Sequence, residues 1–359
     1  MKLLFIVADI TFVGGIERVI ANLANSLSKE SITTEILSLY KSNNNCNFEI
    51  NKDIKISYLN ENSKYDGKPG SIKRLFKHLR NISRLRSYLA LNEYDVIVSN
   101  SFPTSFQLYF THKSCSWITY EHVHFNYYNN NIKKLRTFIY KKFDKIVVLT
   151  KKDQEDFTKN FNTVVKIANP LSFTSEKTSE LNNKTIIAVG RLEQQKGFDL
   201  LIDAYSKIAN KHKDWVLKIY GEGSEKEKLI NKISNLNIEN IFLMGHSSNI
   251  RKEMLLSSIL VVSSRFEGFS MVLAEAMECG LPSISFDCPN GPSDLIQHNH
   301  NGLLVNNGCI ESLAINLDKL MQDESLRKNL SRNAKQYIKA ISLPIVTKEW
   351  IKLIYQVRK

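Results

Sequence analysis

Hydrophobic and polar positions follow a regular rhythm of short apolar runs and longer segments with helical spacing. Residues 2–8 form an apolar run that predicts a buried strand. A helix is predicted from Ile16 to about Lys29, with apolar positions at Val19, Ile20, Leu23, Ala24 and Leu27. Further strands are predicted at 32–39, 54–59, 95–99, 117–121 and 145–149. Strands that alternate with helices predict a parallel sheet covered by helices.

The same rhythm returns after a polar stretch. Residues 171–183 are rich in Ser, Thr and Asn, which is typical of a joint between domains. Alternating strands and helices follow at 185–189, 198–210, 215–220, 225–236 and 241–244. The prediction is an α/β protein with domains at 1–170 and 171–340, followed by a last helix within 341–359.

One stretch in the second domain carries the strongest chemical signal, SSRFEGFSMVLAEAMECGLP at residues 263–282. It follows an apolar strand and predicts a loop and then a helix, with Ser270 at the N-cap and a stop at Gly280. Glu267 lies in the loop and Glu275 on the helix, so both face the carboxyl end of a strand, where open α/β sheets bind ligands. The helix amino terminus attracts anions, which favours a sugar nucleotide. The alternative is two ordinary surface glutamates.

Two further motifs strengthen this chemical signal: GRLEQQKGFD at residues 190–199 and, more weakly, GGIE at residues 14–17. Together they resemble the retaining glycosyltransferases of glycosyltransferase family 4. The resemblance implies the GT-B fold, in which two Rossmann-like domains face each other across a cleft and a C-terminal helix packs back on the first domain. The first domain would bind the acceptor and the second the nucleotide sugar. Ser270 stands where many members of the family carry proline.

The resemblance also implies roles for individual residues. Glu267 would bind hydroxyls of the donor sugar and Glu275 those of the ribose. The loss of a nucleoside diphosphate builds negative charge on its outer phosphate, which Arg191 and Lys196 would stabilise, since no D-x-D metal motif occurs. Lys196 is predicted to open a helix. We therefore expect no metal and no cofactor. The remaining donor-binding residues implied are Gly15, Gly190, Gly268, Phe269, Ser270 and Met271. For Gly15, contact with the acceptor and a purely structural turn stay open as alternatives.

Two histidines are further candidates. The strand at 117–121 runs into His122 and His124, and a histidine at such a strand end can donate to a sugar hydroxyl. The triplet Tyr120-Glu121-His122 resembles a family pattern, which favours His122 as the catalytic one. His246 follows another strand and is expected to border the base of the donor; a plain polar loop tip is an equally good interpretation.

Charge separates the two halves. The 359 residues carry a formal net charge of +13, and residues 1–170 hold 25 Lys and Arg against 15 Asp and Glu. Two basic helices are predicted there, at 71–91 and 132–143. An apolar stripe on the first is expected to face the core: Ile72, Leu75, Phe76, Leu79, Ile82, Leu85 and Leu89. The basic residues on the rest of this helix either face solvent or contact an anionic membrane. The second helix carries Lys133, Lys134, Arg136, Lys141 and Lys142.

No apolar run is long enough to span a membrane, and the first residues do not have the pattern of a signal peptide. Five cysteines without C-x-x-C spacing are expected to be reduced. We expect a cytoplasmic enzyme, peripheral to the inner face of the membrane, that moves a hexose or N-acetylhexosamine, from a UDP-sugar in preference, to a lipid-linked acceptor in polysaccharide synthesis.

Three alternatives stay open at this point. A sugar-nucleotide epimerase of the same fold would need no acceptor. A basic nucleic-acid-binding protein would explain the charge, but the sequence contains no recognisable nucleic-acid module. A sugar-nucleotide binder without catalysis is the third.

Overall fold

The computed structural model describes residues 1–61, 63–64 and 72–358, with only the backbone for residues 72–75. The chain forms two compact units, Met1–Ser172 together with Leu343–Lys359, and Phe173–Ser342. These limits lie two residues beyond the boundaries expected at 170 and 340. The predicted helix start at Ser71 and the stripe side chains of Ile72 and Leu75 lie outside the described parts.

A parallel sheet of seven strands forms the centre of the first unit. Its strands are β1 (Lys2–Val7), β2 (Thr33–Ser38), β3 (Lys55–Tyr58), β4 (Val96–Asn100), β5 (Ser116–Tyr120), β6 (Lys145–Val148) and β7 (Val164–Lys166). The order across the sheet is β3-β2-β1-β4-β5-β6-β7, so the direction of winding reverses between β1 and β4. β1, β4 and β5 are almost fully buried, which is expected for strands covered by helices on both faces.

Six helices belong to this unit: α1 (Gly15–Ser28), α2 (Ile72–Ala90), α3 (Phe102–Tyr109), α4 (Asn130–Tyr140), α5 (Lys151–Thr158) and, at the end of the chain, α13 (Leu343–Val357). The last helix packs back on the unit, as the resemblance implied. The Trp350 ring lies 4.9 Å from that of Tyr120 on β5, and Thr347 Oγ1 forms a 2.8 Å hydrogen bond with Ser26 Oγ on α1. Apolar burial and hydrogen bonds therefore both hold α13.

The second unit has a parallel sheet of six strands: β8 (Thr185–Val189), β9 (Val216–Tyr220), β10 (Ile241–Gly245), β11 (Ile259–Val262), β12 (Ser283–Asp287) and β13 (Leu303–Asn306). Their order is β10-β9-β8-β11-β12-β13, so the winding reverses between β8 and β11. The helices are α6 (Phe198–Ser206), α7 (Lys226–Asn235), α8 (Ile250–Leu255), α9 (Met271–Glu278), α10 (Pro292–Leu295), α11 (Ile310–Gln322) and α12 (Glu324–Tyr337).

The predicted strands are confirmed to within one or two residues, and the GT-B fold is confirmed by the structural comparisons given below. Two predictions are wrong. Lys196 does not open a helix: it ends a 3-10 turn, Gln194–Lys196, and α6 begins only at Phe198. The stripe of α2 does not face the core throughout, because Phe76 is 67% exposed and Leu79 46%, whereas Leu85 is buried. None of the helices in the described residues has both the length and the apolar character of a membrane span.

Candidate active site

The reversal of winding in the second sheet brings two loops together. β8 and β11 are neighbours in register, with Ile186 opposite Ile259. The β8–α6 segment (residues 190–197) and the β11–α9 segment (residues 263–270) therefore leave the same sheet edge side by side. Crevices at such reversal points are where open α/β sheets bind ligands.

Lys196 and Glu267 meet between these segments. Lys196 Nζ donates to Glu267 Oε1 at 2.7 Å, and Ser264 Oγ donates to the same oxygen at 2.6 Å. Glu267 is only 6% exposed, so the interpretation of an ordinary surface glutamate is wrong. Both bonds go to Oε1, and neither uses Oε2. The lysine keeps two further N–H donors beyond this bond.

Backbone contacts hold the two segments against each other. Gly197 has φ +62°, and a Cβ there would lie 2.1 Å from the carbonyl oxygen of Ser263, so only glycine fits. Ser263 Oγ donates to the Lys196 carbonyl at 2.9 Å, and the Arg265 amide donates to the Gln195 carbonyl at 2.8 Å. The position of Lys196 beside Glu267 is thus fixed from both sides.

The second glutamate lies on α9. Glu275 is 5% exposed, so it is not a surface residue either. Ser270 occupies the N-cap position as predicted, but its hydroxyl makes no capping bond, and its φ is +63°. Proline cannot adopt this angle. Within the described residues the buried Ser270 Oγ has no hydrogen-bond partner. Phe269 is buried, and a Cβ on Gly291 would lie 3.0 Å from its carbonyl carbon, whereas Gly268 and Met271 are partly exposed.

Other predicted donor-binding residues lie at the same edge. Gly190 follows β8, and Lys196 methylenes would lie 3.1 Å from a Cβ there. Arg191 is exposed and follows Gly190 directly. Gly221 has φ +148°, and a Cβ there would lie 1.8 Å from the Gly190 carbonyl oxygen, so both its backbone angle and its packing require glycine. His246 follows β10 and is exposed.

The first sheet has its own reversal point, between β1 and β4. The Gly14–Gly15 pair lies there, at the start of α1. A Cβ on Gly15 would meet nothing within 4 Å, whereas one on Gly14 would lie 2.2 Å from Glu17 Oε2. Glycine at 15 is therefore not required by packing. Burial raises the pKa of the Glu17 carboxyl from 4.5 to about 7, assisted by the nearby charge of Asp9.

His122 follows β5 in the same unit. Its Nε2 lies 3.3 Å from Asn100 Oδ1, and the Asn100 amide nitrogen donates to the Ile6 carbonyl at 3.0 Å. The second bond orients the amide, so Nε2 of a neutral His122 carries the proton and Nδ1 accepts. Burial lowers the pKa of His122 from 6.5 to about 3. Burial also lowers the pKa of His124.

A buried group of hydrogen-bonded side chains next to His122 was not predicted from the sequence. Glu121 is buried and accepts hydrogen bonds from Tyr140 Oη at 2.7 Å and Arg136 Nη1 at 3.5 Å. Arg136 was counted only as one of the basic residues of its helix, but it is buried among the rings of Phe125 and Phe157 and donates to the Phe125 carbonyl at 2.6 Å. The triplet at 120–122 was the signal available, since an acidic residue at a strand end needs a partner when buried.

Relatives of known class resemble the whole chain. An uncharacterized glycosyltransferase of Haemophilus influenzae is 30% identical over 97% of this chain and 98% of its own length. A Campylobacter jejuni alpha-1,4-N-acetyl-D-galactosaminyltransferase, named for an acceptor linked to PP-undecaprenol, is 29% identical over 100% and 99%. Among solved structures, a mutant of TarM from S. aureus in complex with fondaparinux, alpha-GlcNAc-glycerol and UDP superposes with a TM-score of 0.80 at 17% identity, covering 98% and 99%.

Family models match both units. The model for Glycosyltransferase Family 4 matches residues 13–169, and the model for Glycosyl transferases group 1 matches residues 173–337. The C-terminal residues 338–359, which include α13, lie outside both matches. Together with the full-length relatives, they show that this chain is a glycosyltransferase and belongs to glycosyltransferase family 4.

Proposed function

We propose that the protein is a retaining glycosyltransferase that moves a hexose or N-acetylhexosamine from a nucleotide sugar, a UDP-sugar in preference, to a lipid-linked acceptor of bacterial surface polysaccharide. The observation that carries the proposal is the Lys196–Glu267 pair, with its buried glutamate, at the reversal point of the second sheet. The lysine ammonium can bind the diphosphate of a donor, and the neighbouring carboxylate can accept hydrogen bonds from the hydroxyls of its sugar.

The charges of this unit suit the departure of a nucleoside diphosphate. As the glycosidic bond breaks, negative charge grows on the outer phosphate. Arg191, the Lys196 ammonium and the amino terminus of α9 supply positive charge and N–H donors at one sheet edge. We propose that these groups do the work that a metal ion performs in other transferases. Activity is then expected to survive EDTA.

The carboxylates are assigned to binding. Glu267 would accept hydrogen bonds from sugar hydroxyls through Oε2, while Oε1 stays with Lys196 and Ser264. Glu275 would accept from the ribose. A retaining glycosidase uses one carboxylate as nucleophile. Here the bonds to Glu267 Oε1 suit a binding role better, with the departing phosphate taking the acceptor proton on the same face of the sugar.

His122 is proposed to contact a sugar hydroxyl as a neutral acceptor. Its Nε2–H is directed to Asn100, so Nδ1 is the atom available for such a bond. This differs from the donor role expected from the sequence, because the Asn100 amide determines the tautomer. The low pKa keeps the ring neutral at any pH at which the enzyme would work.

The choice of donor and acceptor is supported by relatives. UDP is bound in the TarM structure, and the Campylobacter jejuni relative is named for an acceptor linked to PP-undecaprenol. The experiment is to incubate the purified protein with a panel of nucleotide sugars, with and without lipid-linked oligosaccharide, and to measure nucleoside diphosphate release. Acceptor-dependent release that resists EDTA is expected. Release of free sugar without acceptor would favour the epimerase, and no release from any donor would reject the proposal.

A surface on the first unit suits contact with an anionic membrane. Phe76 and Leu79 on α2 and Leu135 and Phe138 on α4 are exposed. α3 lies between these helices: Arg86 Nη2 of α2 donates to the Phe110 carbonyl just after α3 at 2.8 Å, and the Phe138 ring lies 5.8 Å from that of Tyr109. None of the three helices contains an aspartate or glutamate.

We therefore propose that this apolar and basic surface rests on the anionic inner leaflet, where each engaged basic residue contributes about 1 kcal/mol. Vesicle sedimentation tests it. Binding to anionic vesicles is expected to fall with salt and to weaken in Phe76→Ser and Phe138→Ser. Phe242→Ser, at another exposed phenylalanine on β10 of the other unit, is the matched control. Equal, negligible binding to neutral and anionic vesicles at low salt would reject the membrane contact.

A further inference from the structure

A second ion pair joins the segment that carries Glu267 to the start of α6, directly after the segment that carries Lys196. Arg265 Nη1 lies 2.8 Å from Asp199 Oδ1, and Nη2 lies 2.7 Å from Asp199 Oδ2, so the guanidinium holds both carboxylate oxygens. Arg265 Nη1 also donates to the Gln194 carbonyl at 2.7 Å. Lysine cannot reproduce this fork, because its ammonium is a single point donor group.

Asp199 and Arg265 each lie close in sequence to one residue of the Lys196–Glu267 pair. Asp199 lies three residues after Lys196, at the start of α6, and Arg265 lies two residues before Glu267. The Lys196–Glu267 pair thus joins the β8–α6 segment to the β11–α9 segment, and the Arg265–Asp199 pair joins the β11–α9 segment to the first turn of α6. Gln195 adds a third connection, since its side chain donates to the Phe266 carbonyl at 3.0 Å.

This bidentate ion pair is expected to add little to the free energy of unfolding. The side chains of Arg265 and Asp199 are 32% and 41% exposed, and exposed ion pairs contribute little net stability. The hydrogen bonds of Arg265 nevertheless lower the pKa of Asp199, so the carboxylate is held ionised. Its effect is geometric instead: a bidentate contact beside the Lys196–Glu267 pair restricts the movement of the two segments relative to each other.

We propose that Arg265 and Asp199 are positioning residues that hold the Lys196 ammonium on Glu267. This rests on the proposed role of Lys196 and Glu267 in binding the donor. Neither Arg265 nor Asp199 needs to touch the substrate. Loss of the fork would let the segments shift, and a misplacement of about 1 Å in a reacting group can cost on the order of 10²-fold in rate.

A matched control lies in the same unit. Asp203 and Lys232 form an ion pair at 2.7 Å with nearly the same exposure, 33% and 31%, but join α6 to α7 away from the site. Arg265→Gln and Asp199→Asn are expected to lower kcat for nucleoside diphosphate release by about 10- to 100-fold, with KM for the donor changed less than about threefold. Asp203→Asn should leave both constants unchanged, with a similar change in Tm.

Two further measurements separate positioning from a structural role. In a Lys196→Gln background, Arg265→Gln should cause no additional loss of kcat, because the group that it positions is already missing. Arg265→Lys should rescue little, because the fork is lost. Equal loss in both backgrounds, or kinetics like those of Asp203→Asn, would overturn the proposal.

A readout without catalysis keeps this inference separate from the proposed function. The rate at which acetic anhydride modifies Lys196, followed by mass spectrometry in the full chain, should rise several-fold in Arg265→Gln and stay unchanged in Asp203→Asn. An unchanged rate in both variants would overturn the positioning role. If the wild-type protein releases no nucleoside diphosphate from any donor while the labelling rate still rises, the proposed function fails and the positioning role stands.

Discussion

Lys196 Nζ and Glu267 Oε1 lie 2.7 Å apart although 71 residues separate them in the chain. Because each neutralises the other in a site that is mostly buried, we expect the two to act as a unit. Glu267→Gln and Lys196→Gln should each lower kcat on the order of 10²-fold, and the double variant should be little worse than either. The exposed pair Lys207–Glu311 is the control. Simple additivity in steady-state kinetics would show that the two residues act independently.

This contact also shows where sequence reasoning stops. The motifs predict Lys196 and Glu267 as site residues, and the apolar runs predict β8 and β11. That the two residues touch depends on the order β10-β9-β8-β11, in which strands distant in sequence become neighbours. Sequence periodicity reports which face of an element is apolar, but it does not report which strand lies beside it.

Arg136 illustrates a second limit. The sequence shows it only as one basic residue among lysines on a predicted helix; the helix is present, and the Arg136 side chain is buried. A long basic side chain enters the interior only where a buried acid and aromatic faces compensate its charge, and Glu121 and Phe157 do so here. The helices α3, α5, α8 and α10 were not predicted, because each has eight residues or fewer, which is too short for a clear period. The equally short α9 was predicted from its N-cap serine and its Gly-Leu-Pro stop, not from a period.

Ser270 combines φ +63° with a buried hydroxyl that has no partner within the described residues. Left-handed backbone costs a residue other than glycine about 1–2 kcal/mol. Ser270→Gly should therefore raise the free energy of unfolding by about 1 kcal/mol, and it should weaken donor binding if the hydroxyl is kept for the donor. Calorimetry with UDP and thermal unfolding measure the two effects.

Ser31 is the control for Ser270, since it has φ 59° on an exposed turn. Ser31→Gly should change stability in the same direction and leave UDP binding unchanged. Undiminished UDP affinity in Ser270→Gly would show that the hydroxyl does not serve the donor. Ser270→Pro should be destabilising, because proline fixes φ near −65°.

His122 makes a pH-dependent contribution to stability. Burial lowers its pKa from 6.5 to about 3, so between these values the unfolded chain binds a proton that the folded chain does not. Stability should therefore fall as the pH drops below 6.5, by up to about 1.4 kcal/mol for each pH unit. His122→Gln removes this titration. Urea unfolding at pH 7 and pH 5 should show a smaller pH effect in the variant; equal pH effects would contradict the buried, neutral imidazole.

Gly15 offers the most direct test of a donor contact in the first unit. It begins α1, and a Cβ there would meet nothing within 4 Å. Gly15→Ala should thus leave the fold intact and raise stability by about 0.5–1 kcal/mol, because alanine is the better helix former. Turnover should nevertheless fall at least tenfold if the donor diphosphate approaches the backbone at this point.

Gly14 supplies the contrast for that experiment. A Cβ on Gly14 would lie 2.2 Å from Glu17 Oε2, the far end of a flexible side chain that can move aside, so Gly14→Ala should lower the Tm of the protein only slightly, as well as its turnover. In the double variant Gly14→Ala with Glu17→Ala no side chain has to move, and the Tm should recover. Unchanged kcat and KM in Gly15→Ala, measured together with a Tm at or above that of the wild type, would leave this glycine with a purely structural role at the start of α1.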